Sequence, residues 1–242
     1  MKYLFVFLLI GVVSCGDASS NASENVKPKL KEYSMDEVKV NANHVVFFKK
    51  DMKPVTGIVR DWYYTGQLQY DGNFKDGKRD GLCRTWYEDG QLMYDNNFKD
   101  GKRDGLSREW YENGQLQNEH NFKDGQEDGL SKEWYENGQL QYDGNFKDGK
   151  YDGLNRVWYD NGQLSYEFNF KDGQQDGLNR EWYDNGQLKF EHNFKDGKRD
   201  GLCREWYENG QLGAEYNFKD GKLIDDRCYD ENGNKIICEY KQ

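Results

Sequence analysis

Tryptophan recurs at a fixed interval along this chain. It occupies positions 62, 86, 110, 134, 158, 182 and 206 of the 242 residues and no others, so the interval is 24 residues each time. A fixed period of this length is typical of repeat proteins, in which each unit buries its apolar surface against its neighbours. The chain is therefore expected to fold as a stack of near-identical units rather than around one globular core.

Each 24-residue unit contains two turn signals. One is Asp-Gly, as in residues 75–78, and the other is Asn-Gly or Asp-Gly, as in residues 112–115. The segments between them are rich in Trp, Tyr, Phe and Leu and lack a helical period, which indicates antiparallel strands in consecutive hairpins. We predict an all-β fold, an elongated single-layer antiparallel β-meander of tandem hairpin repeats. About sixteen strands at about 4.8 Å spacing would give an open, twisted sheet about 75 Å long.

The even period predicts which face of the sheet each side chain takes, because alternate residues of a strand point to opposite faces. Trp86, Leu92 and Phe98 are all even-numbered, so one face is expected to collect Trp, Leu and Phe from every unit. A three-residue loop with its glycine in the left-handed region keeps Trp86 and Leu92 together. We therefore predict glycine-bulge hairpins throughout, with Trp86 opposite Leu92 and Arg84 opposite Tyr94.

The first fifteen residues read MKYLFVFLLIGVVSC. Their apolar run is too short for a membrane-spanning helix, which needs about 20 residues, but it has the length of a signal-peptide core. The ending VVSC resembles the lipobox of bacterial lipoproteins, which implies cleavage before Cys15 and acylation of that cysteine. An ordinary secretory signal with an incidental cysteine is the alternative. Because two or three acyl chains anchor firmly, we expect attachment to a membrane of the bacterial cell envelope, periplasmic or on the surface.

Five segments follow from these signals. The polar stretch after the apolar run has no periodicity, which is typical of a flexible tether. Repeat arrays need protected ends, and the divergent sequences on either side of the tryptophan units suit that role, with Pro54 compatible with a sheet edge. The predicted segments are a signal peptide (1–14), a lipidated cysteine and tether (15–40), an N-terminal capping repeat (41–61), the tandem repeats (62–221) and a C-terminal capping repeat (222–242).

A family resemblance is carried by YDGNFKDG at residues 70–77, followed by Gly81. This pattern resembles the MORN repeat, and the WYENGQL turn is similar to its bacterial variant. Seven copies in register extend the resemblance over about residues 45–240. It implies a single-layer hairpin array and non-catalytic work, as a membrane-associated or protein-binding scaffold. Many bacterial members are labelled antitoxins, whereas an export signal favours a role outside the cytoplasm.

The cysteines of the repeats offer few pairings. Cys83 and Cys203 share a repeat position five units apart, about 48 Å along the sheet, whereas a disulfide needs Cα atoms within about 7 Å. Cys228 and Cys238 flank the last turn and share a face, but they sit diagonally in the expected register. Their pairing stays open, and an exported location would permit it.

No catalytic or metal site is predicted. His120 and His192 share a repeat position three units apart, so they do not form one site, and no nucleophile lies beside a base. The repeated Asp-Gly-x-x-Asp-Gly element resembles a calcium loop, but Lys78 and Arg79 intrude where six to eight oxygens would have to converge. The aspartates, such as Asp80, are interpreted as turn formers. We predict a non-enzyme without a cofactor.

Binding is predicted at two rows that vary between otherwise similar units. The positions of residues 70 and 72 change in size and polarity from copy to copy, although both are even-numbered. We predict that these rows bind a protein partner, although drift at tolerant positions would vary them too. The candidate residues are Tyr70, Tyr94, His120, Tyr142, Phe168, His192 and Tyr216.

Net charge and exposed aromatic surface bear on whether the partner is nucleic acid, a glycan or another copy of the chain. A net charge of −10 argues against nucleic acid. Aromatic cages hold quaternary ammonium groups in choline-binding repeats, so cell-wall glycan or choline is the alternative ligand. A second copy closing the aromatic surface and an antitoxin-like or immunity role against a toxin also stay open.

Overall fold

The computed structural model describes residues 30–42 and 44–238. The predicted signal peptide, Cys15 and the first part of the tether lie outside the described residues. Within the described ranges, no helix has the length and apolar character needed to cross a membrane.

The described chain forms 22 strands and one short 3-10 helix, Met35–Glu37. The strands are β1 (Glu32–Ser34), β2 (Val38–Val40), β3 (Val46–Phe48), β4 (Gly57–Trp62), β5 (Leu68–Lys75), β6 (Lys78–Trp86), β7 (Leu92–Lys99), β8 (Lys102–Trp110), β9 (Leu116–Lys123), β10 (Gln126–Trp134), β11 (Leu140–Lys147), β12 (Lys150–Tyr151), β13 (Gly153–Trp158), β14 (Leu164–Lys171), β15 (Gln174–Gln175), β16 (Gly177–Trp182), β17 (Leu188–Lys195), β18 (Lys198–Arg199), β19 (Gly201–Trp206), β20 (Leu212–Lys219), β21 (Lys222–Tyr229) and β22 (Lys235–Ile236).

From β4 to β22 the chain forms one open antiparallel meander, in which sequential strands pair with one another. The short strands β12, β15 and β18 are the outer ends of strands that continue as β13, β16 and β19. The predicted all-β meander of tandem hairpins is thus confirmed. A feature absent from the prediction is β1, which pairs parallel with β4 and forms the first edge of the sheet.

The turn after each tryptophan is the predicted three-residue loop. The amide of Tyr87 donates to the carbonyl of Gln91 at 2.8 Å, and that of Gly90 donates to the carbonyl of Tyr87 at 3.0 Å. Gly90 has φ 90°, in the region that favours glycine. Trp86 accordingly lies opposite Leu92, as predicted.

The Asp-Gly turns are of a different type. Lys75 pairs directly with Lys78, which leaves only Asp76 and Gly77 in the loop. Both have left-handed φ values, 49° and 79°, as a two-residue type I′ turn requires. The prediction of glycine-bulge hairpins throughout is therefore wrong for these turns, because Asp tolerates the left-handed region well enough to take the first loop position.

A β-bulge follows each tryptophan turn. Met93 has no residue opposite it, so Arg84 pairs with Asp95 and Thr85 pairs with Tyr94. The predicted pairing of Arg84 with Tyr94 is wrong, because an extra residue on one strand reverses the faces beyond it.

The bulge gives the sheet two faces of different composition. We call them the tryptophan face and the phenylalanine face, and Phe98 lies on the latter, whereas the sequence predicted it beside Trp86. Alternation and pairing place on the tryptophan face, in each unit, the equivalents of Leu82, Arg84, Trp86, Leu92, Asp95 and Asn97. The phenylalanine face carries the equivalents of Arg79, Cys83, Thr85, Tyr94, Asn96 and Phe98.

The N-terminal end of the sheet is covered by a small hairpin of β2 and β3. Val55 and Val59 are fully buried there, in one cluster with Val38, Val46 and Phe74. Pro54 forms a single bridge to Phe47 beside this hairpin. The predicted tether is wrong for residues 30–40, since Tyr33, Met35 and Val38 pack into this N-terminal cap.

The C-terminal end is closed by β21 and β22. Ala214, Phe218 and Cys228 are buried there with Tyr216 and Cys203. Cys228 and Cys238 form a disulfide, with Cα atoms 5.2 Å apart. The structure therefore contains the bond that the sequence left open.

Candidate functional site

A ladder of tyrosine hydroxyls ties each unit to the next. The hydroxyl of Tyr87 donates to the carbonyl of Trp110 at 2.7 Å, and the equivalent bond recurs along the sheet. Because the carbonyl belongs to the following unit, the Tyr that follows every Trp is fixed by the stacking of units. The other donors are Tyr63, Tyr111, Tyr135, Tyr159, Tyr183 and Tyr207.

The repeated aspartates hold the type I′ turns. A carboxylate oxygen of Asp80 accepts from the amide of Asp100, in the turn of the next unit, at 3.2 Å. Equivalent bonds are made by Asp104, Asp128, Asp176 and Asp200. The interpretation of these residues as turn formers is confirmed. In residues 30–42 and 44–238, no three potential metal ligands gather in one group.

The tryptophan face repeats the same polar contacts in nearly every unit. The guanidinium of Arg108 lies 2.7 Å from the carboxylate of Glu119, directly across the strand pair. The side-chain amide of Asn97 donates to the carbonyl of Leu106 at 2.8 Å. Equivalent ion pairs join Arg60 to Asp71, Arg84 to Asp95, Arg156 to Glu167, Arg180 to Glu191 and Arg204 to Glu215.

The phenylalanine face has a buried central row that the sequence analysis missed. Its members are small or polar, and each lies opposite the position of residue 72 or its equivalents. They are Cys83, Ser107, Ser131, Asn155, Asn179 and Cys203, all buried. The available signal was the residue after each Gly-Leu, which is Cys, Ser or Asn in all six units. Burial raises the pKa of the Cys83 and Cys203 thiols, which keeps them protonated and unreactive.

The seven predicted binding residues all lie on the phenylalanine face, but they are not equally accessible. Tyr70 packs against the N-terminal cap, and Tyr216 is only 8% exposed within the C-terminal cluster. Both residues are therefore parts of the caps. The remaining five lie half-buried between the caps: Tyr94, His120, Tyr142, Phe168 and His192.

Neighbouring residues of the two variable rows are sterically coupled. Tyr142 folds over Gly144, where its hydroxyl leaves no room for an added Cβ. Its hydroxyl donates to the side-chain oxygen of Asn155, and burial raises the pKa of Tyr142. Where the position of Gly144 holds a ring instead, the ring lies beside its neighbour, as Phe168 does against Tyr166, with centroids 5.3 Å apart.

The two histidines lie beside carboxylates on this face. His120 Nδ1 is 3.0 Å from an oxygen of Glu127 and contacts the hydroxyl of Ser131. His192 Nε2 is 3.9 Å from an oxygen of Glu205. The open middle of the phenylalanine face thus presents aromatic rings, histidines and carboxylates together.

Comparison with known families identifies the same units. The chain matches the MORN repeat variant at residues 55–76, 103–124, 127–148, 151–172, 175–196 and 199–220, which together make up more than half of its length. It also matches the MORN repeat at residues 70–92. No curated protein matches the chain.

Proposed function

The chain belongs to the MORN repeat variant family, and on that premise we propose that it is a non-catalytic scaffold that binds a protein partner. The partner would lie on the open middle of the phenylalanine face, between the two caps. A lipid on Cys15 would hold the scaffold at the bacterial cell envelope. Repeat arrays of this kind commonly present extended binding surfaces.

The observation that carries the proposal is the contrast between the two faces. On the tryptophan face the units repeat Leu, Trp, Leu and Asn without change from Leu82 to Asn217, and the ion pairs vary only between Arg and Lys or Asp and Glu. On the phenylalanine face, the equivalents of Phe98 and of the ladder residue Tyr87 are constant. The strand positions of this face that change in residue type between units are those of Arg79, Cys83, Thr85, Tyr94 and Asn96. Units that make the same contacts with their neighbours therefore differ mainly on the phenylalanine face. This difference favours selection on that face for recognition of a partner whose surface does not repeat.

The exposed residue types suit a protein partner. Aromatic side chains are enriched in protein–protein interfaces, and a few of them carry most of the binding energy. Tyr94, Tyr142 and Phe168 supply such rings, and His120 and His192 add groups that form hydrogen bonds. A repeating glycan would instead fit a surface that is the same in every unit.

The predicted export signal supports the location. Residues 1–15 combine an apolar run with a terminal cysteine, and a disulfide such as Cys228–Cys238 is expected in an oxidising compartment. Both features favour a protein outside the cytoplasm. A toxin-neutralising role would then require a partner that also reaches the envelope.

The test is crosslinking capture on cell envelopes with the full chain, tagged at its C-terminus. One variant carries Tyr94→Ala and Phe168→Ala on the open phenylalanine face. A matched variant carries Leu154→Ala and Leu202→Ala, since both leucines are 36% exposed on the opposite face.

The proposal predicts one protein that is enriched by the parent and the leucine variant and lost with the aromatic variant. Enrichment of cell-wall glycan without protein would contradict it and support the glycan alternative. Recovery of only its own copies would show instead that this face joins two molecules of the chain.

A further inference from the structure

Several units of the chain cover their phenylalanine rings with a cation of their own. The guanidinium carbon of Arg79 lies 5.1 Å from the ring centroid of Phe98. Arg103 lies at the same distance from Phe122. A guanidinium over an aromatic face is attracted by the ring quadrupole and stacks on it well. The repeats themselves therefore show which group these rings bind.

This cation is absent at Phe146. The repeat position held by Arg79 and Arg103 is occupied there by Glu127, whose carboxylate turns to His120 Nδ1 at 3.0 Å. Tyr151 lies between Phe146 and Phe170, with ring centroids 4.6 and 4.9 Å away, and is 41% exposed. An accessible aromatic surface therefore stands beside a carboxylate where sister units hold an arginine.

A second cation is absent from the same unit. Two units further along, Lys189 pairs with Glu181 at 2.7 Å and lies 5.1 Å from the ring centroid of Phe190. The corresponding residues here are Gln141, Glu133 and Tyr142, so the acid and the ring are kept while the lysine is replaced. Among the described residues, no basic group lies within 4.0 Å of the Glu133 carboxylate.

The two places where a cation is missing, beside Phe146 and beside Glu133, open into one cleft of about 590 Å³. Glu127, Glu133, Tyr142, Phe146 and Tyr151 line it together with His120. Lys150 also lines the cleft, and its aliphatic stem runs beside the turn at Gly173. The cleft thus joins aromatic surface to two carboxylates.

We propose that this cleft binds arginine side chains of the protein partner, and the inference rests on the proposed function. One guanidinium lies over Phe146 beside Glu127, in the place of the arginine that sister units supply. A second cationic group lies beside Glu133 and Tyr142, in the place of Lys189. The partner therefore presents a basic segment with closely spaced arginines, whose charge complements the carboxylates.

The direct test is titration of the full chain in mild detergent with acetyl-Arg-Gly-Arg-amide at low salt, followed by amide chemical shifts. The control peptide carries citrulline, which has the shape of arginine without its charge. Glu127→Arg is the informative variant, because it reproduces the arrangement of Arg103 over Phe122 and so fills the cleft with the chain's own cation. Glu136→Arg is the matched control, since it makes the same charge change in an exposed turn.

The expected result is saturable binding of the arginine peptide that shifts the amides of β10 to β13. Affinity should be at least fivefold weaker for the citrulline peptide and for Glu127→Arg, and within twofold of the parent for Glu136→Arg. Near-ultraviolet circular dichroism checks that both variants are folded. Equal binding of both peptides, or no loss in Glu127→Arg, would overturn the proposal, as would preferential binding of choline.

Envelope capture with Glu127→Arg tests the arginine cleft separately from the proposed scaffold function on which it rests. A partner that is captured equally by the parent and by Glu127→Arg would leave the scaffold function standing and refute the arginine cleft. Failure of the parent itself to capture any protein would refute the scaffold function.

Discussion

At the scale of single residues, the repeated side chains divide into those that join units and those that do not. Tyr135 donates its hydroxyl to the carbonyl of Trp158 at 2.7 Å, and Asp128 accepts from the amide of Asp148 at 3.2 Å. Both bonds reach into the next unit, so the same residue is needed in every copy. Phe168 and His192 make no such repeated bond, and the residue at their repeat position differs between units.

Removal of one tyrosine hydroxyl should measurably weaken the stack. Tyr135→Phe deletes the bond to the Trp158 carbonyl and leaves that acceptor part-buried, which should lower the free energy of unfolding by about 1 kcal/mol. Urea denaturation followed by tryptophan fluorescence measures the change. Tyr64→Phe is the control, because Tyr64 is 95% exposed; an equal loss in both variants would show that the ladder bond is not the cause.

Truncation of a buried valine in the N-terminal cap should destabilise the protein more than truncation of a half-buried valine between the caps. Val59→Ala removes two methyl groups from a fully buried site and should cost about 2 kcal/mol through lost packing and a residual cavity. Val157→Ala, at a half-buried position between the caps, should cost clearly less. Denaturant midpoints of the two variants compare them, and similar losses would contradict the assignment of Val59 to a cap core.

At the scale of elements, strands and hairpins were predictable because turn signals and aromatic segments recur in register. The pairing of Trp86 with Leu92 followed from the three-residue loop and parity alone. The bulge at Met93 was not predictable, since an unpaired residue leaves no mark on an even period. Because the bulge reverses the strand faces beyond it, the predicted face of Phe98 is wrong. The prediction that Tyr94 and Phe98 share a face is nevertheless correct, since both follow the bulge on the same strand.

The ends of the sheet were harder to predict than its middle. Units between the caps contact neighbours of the same structure, so their sequences repeat. Each cap packs against different residues, so its sequence does not follow the repeat. The parallel pairing of β1 with β4 lay in a segment with no repeat to compare. The burial of Tyr70 and Tyr216 likewise depends on cap contacts that no periodicity encodes, which is why two of the seven candidate residues fall outside the open surface.

The terminal disulfide should stabilise its own hairpin and little else. Cys228 and Cys238 close a loop with a sequence separation of 10 residues, for which chain entropy predicts about 2 to 3 kcal/mol. The variant Cys228→Ser/Cys238→Ser should therefore lose protection against hydrogen exchange in β21 and β22 by roughly a hundredfold. Amides of β8 to β10 serve as the internal control, and equal loss there would contradict local stabilisation.

At the scale of the whole molecule, stability is spread along one dimension. Each strand pairs only with its neighbours from β4 to β22, as in other repeat arrays, where unit and interface contributions add. The caps protect the two ends. The middle of the phenylalanine face is left open between them, which is why we place the partner and its arginines there.

Deletion of one whole unit should preserve the fold. Removal of residues 79–102 joins Lys78 to Arg103 at equivalent repeat positions, so every remaining strand keeps its register. The shortened protein should fold cooperatively and lose about 10 Å of length, the width of two strands. Small-angle scattering measures the length, and an unfolded or aggregated product would contradict the additive stacking of units.

The most direct test of the binding face is site-specific photocrosslinking in intact cells. Benzoylphenylalanine is placed at Phe168 on the phenylalanine face in one strain and at Leu178 on the tryptophan face in another. We predict a discrete crosslinked product with another protein from position 168 only. A product from position 178 alone, or equal products from both positions, would contradict the assignment of the partner to the phenylalanine face.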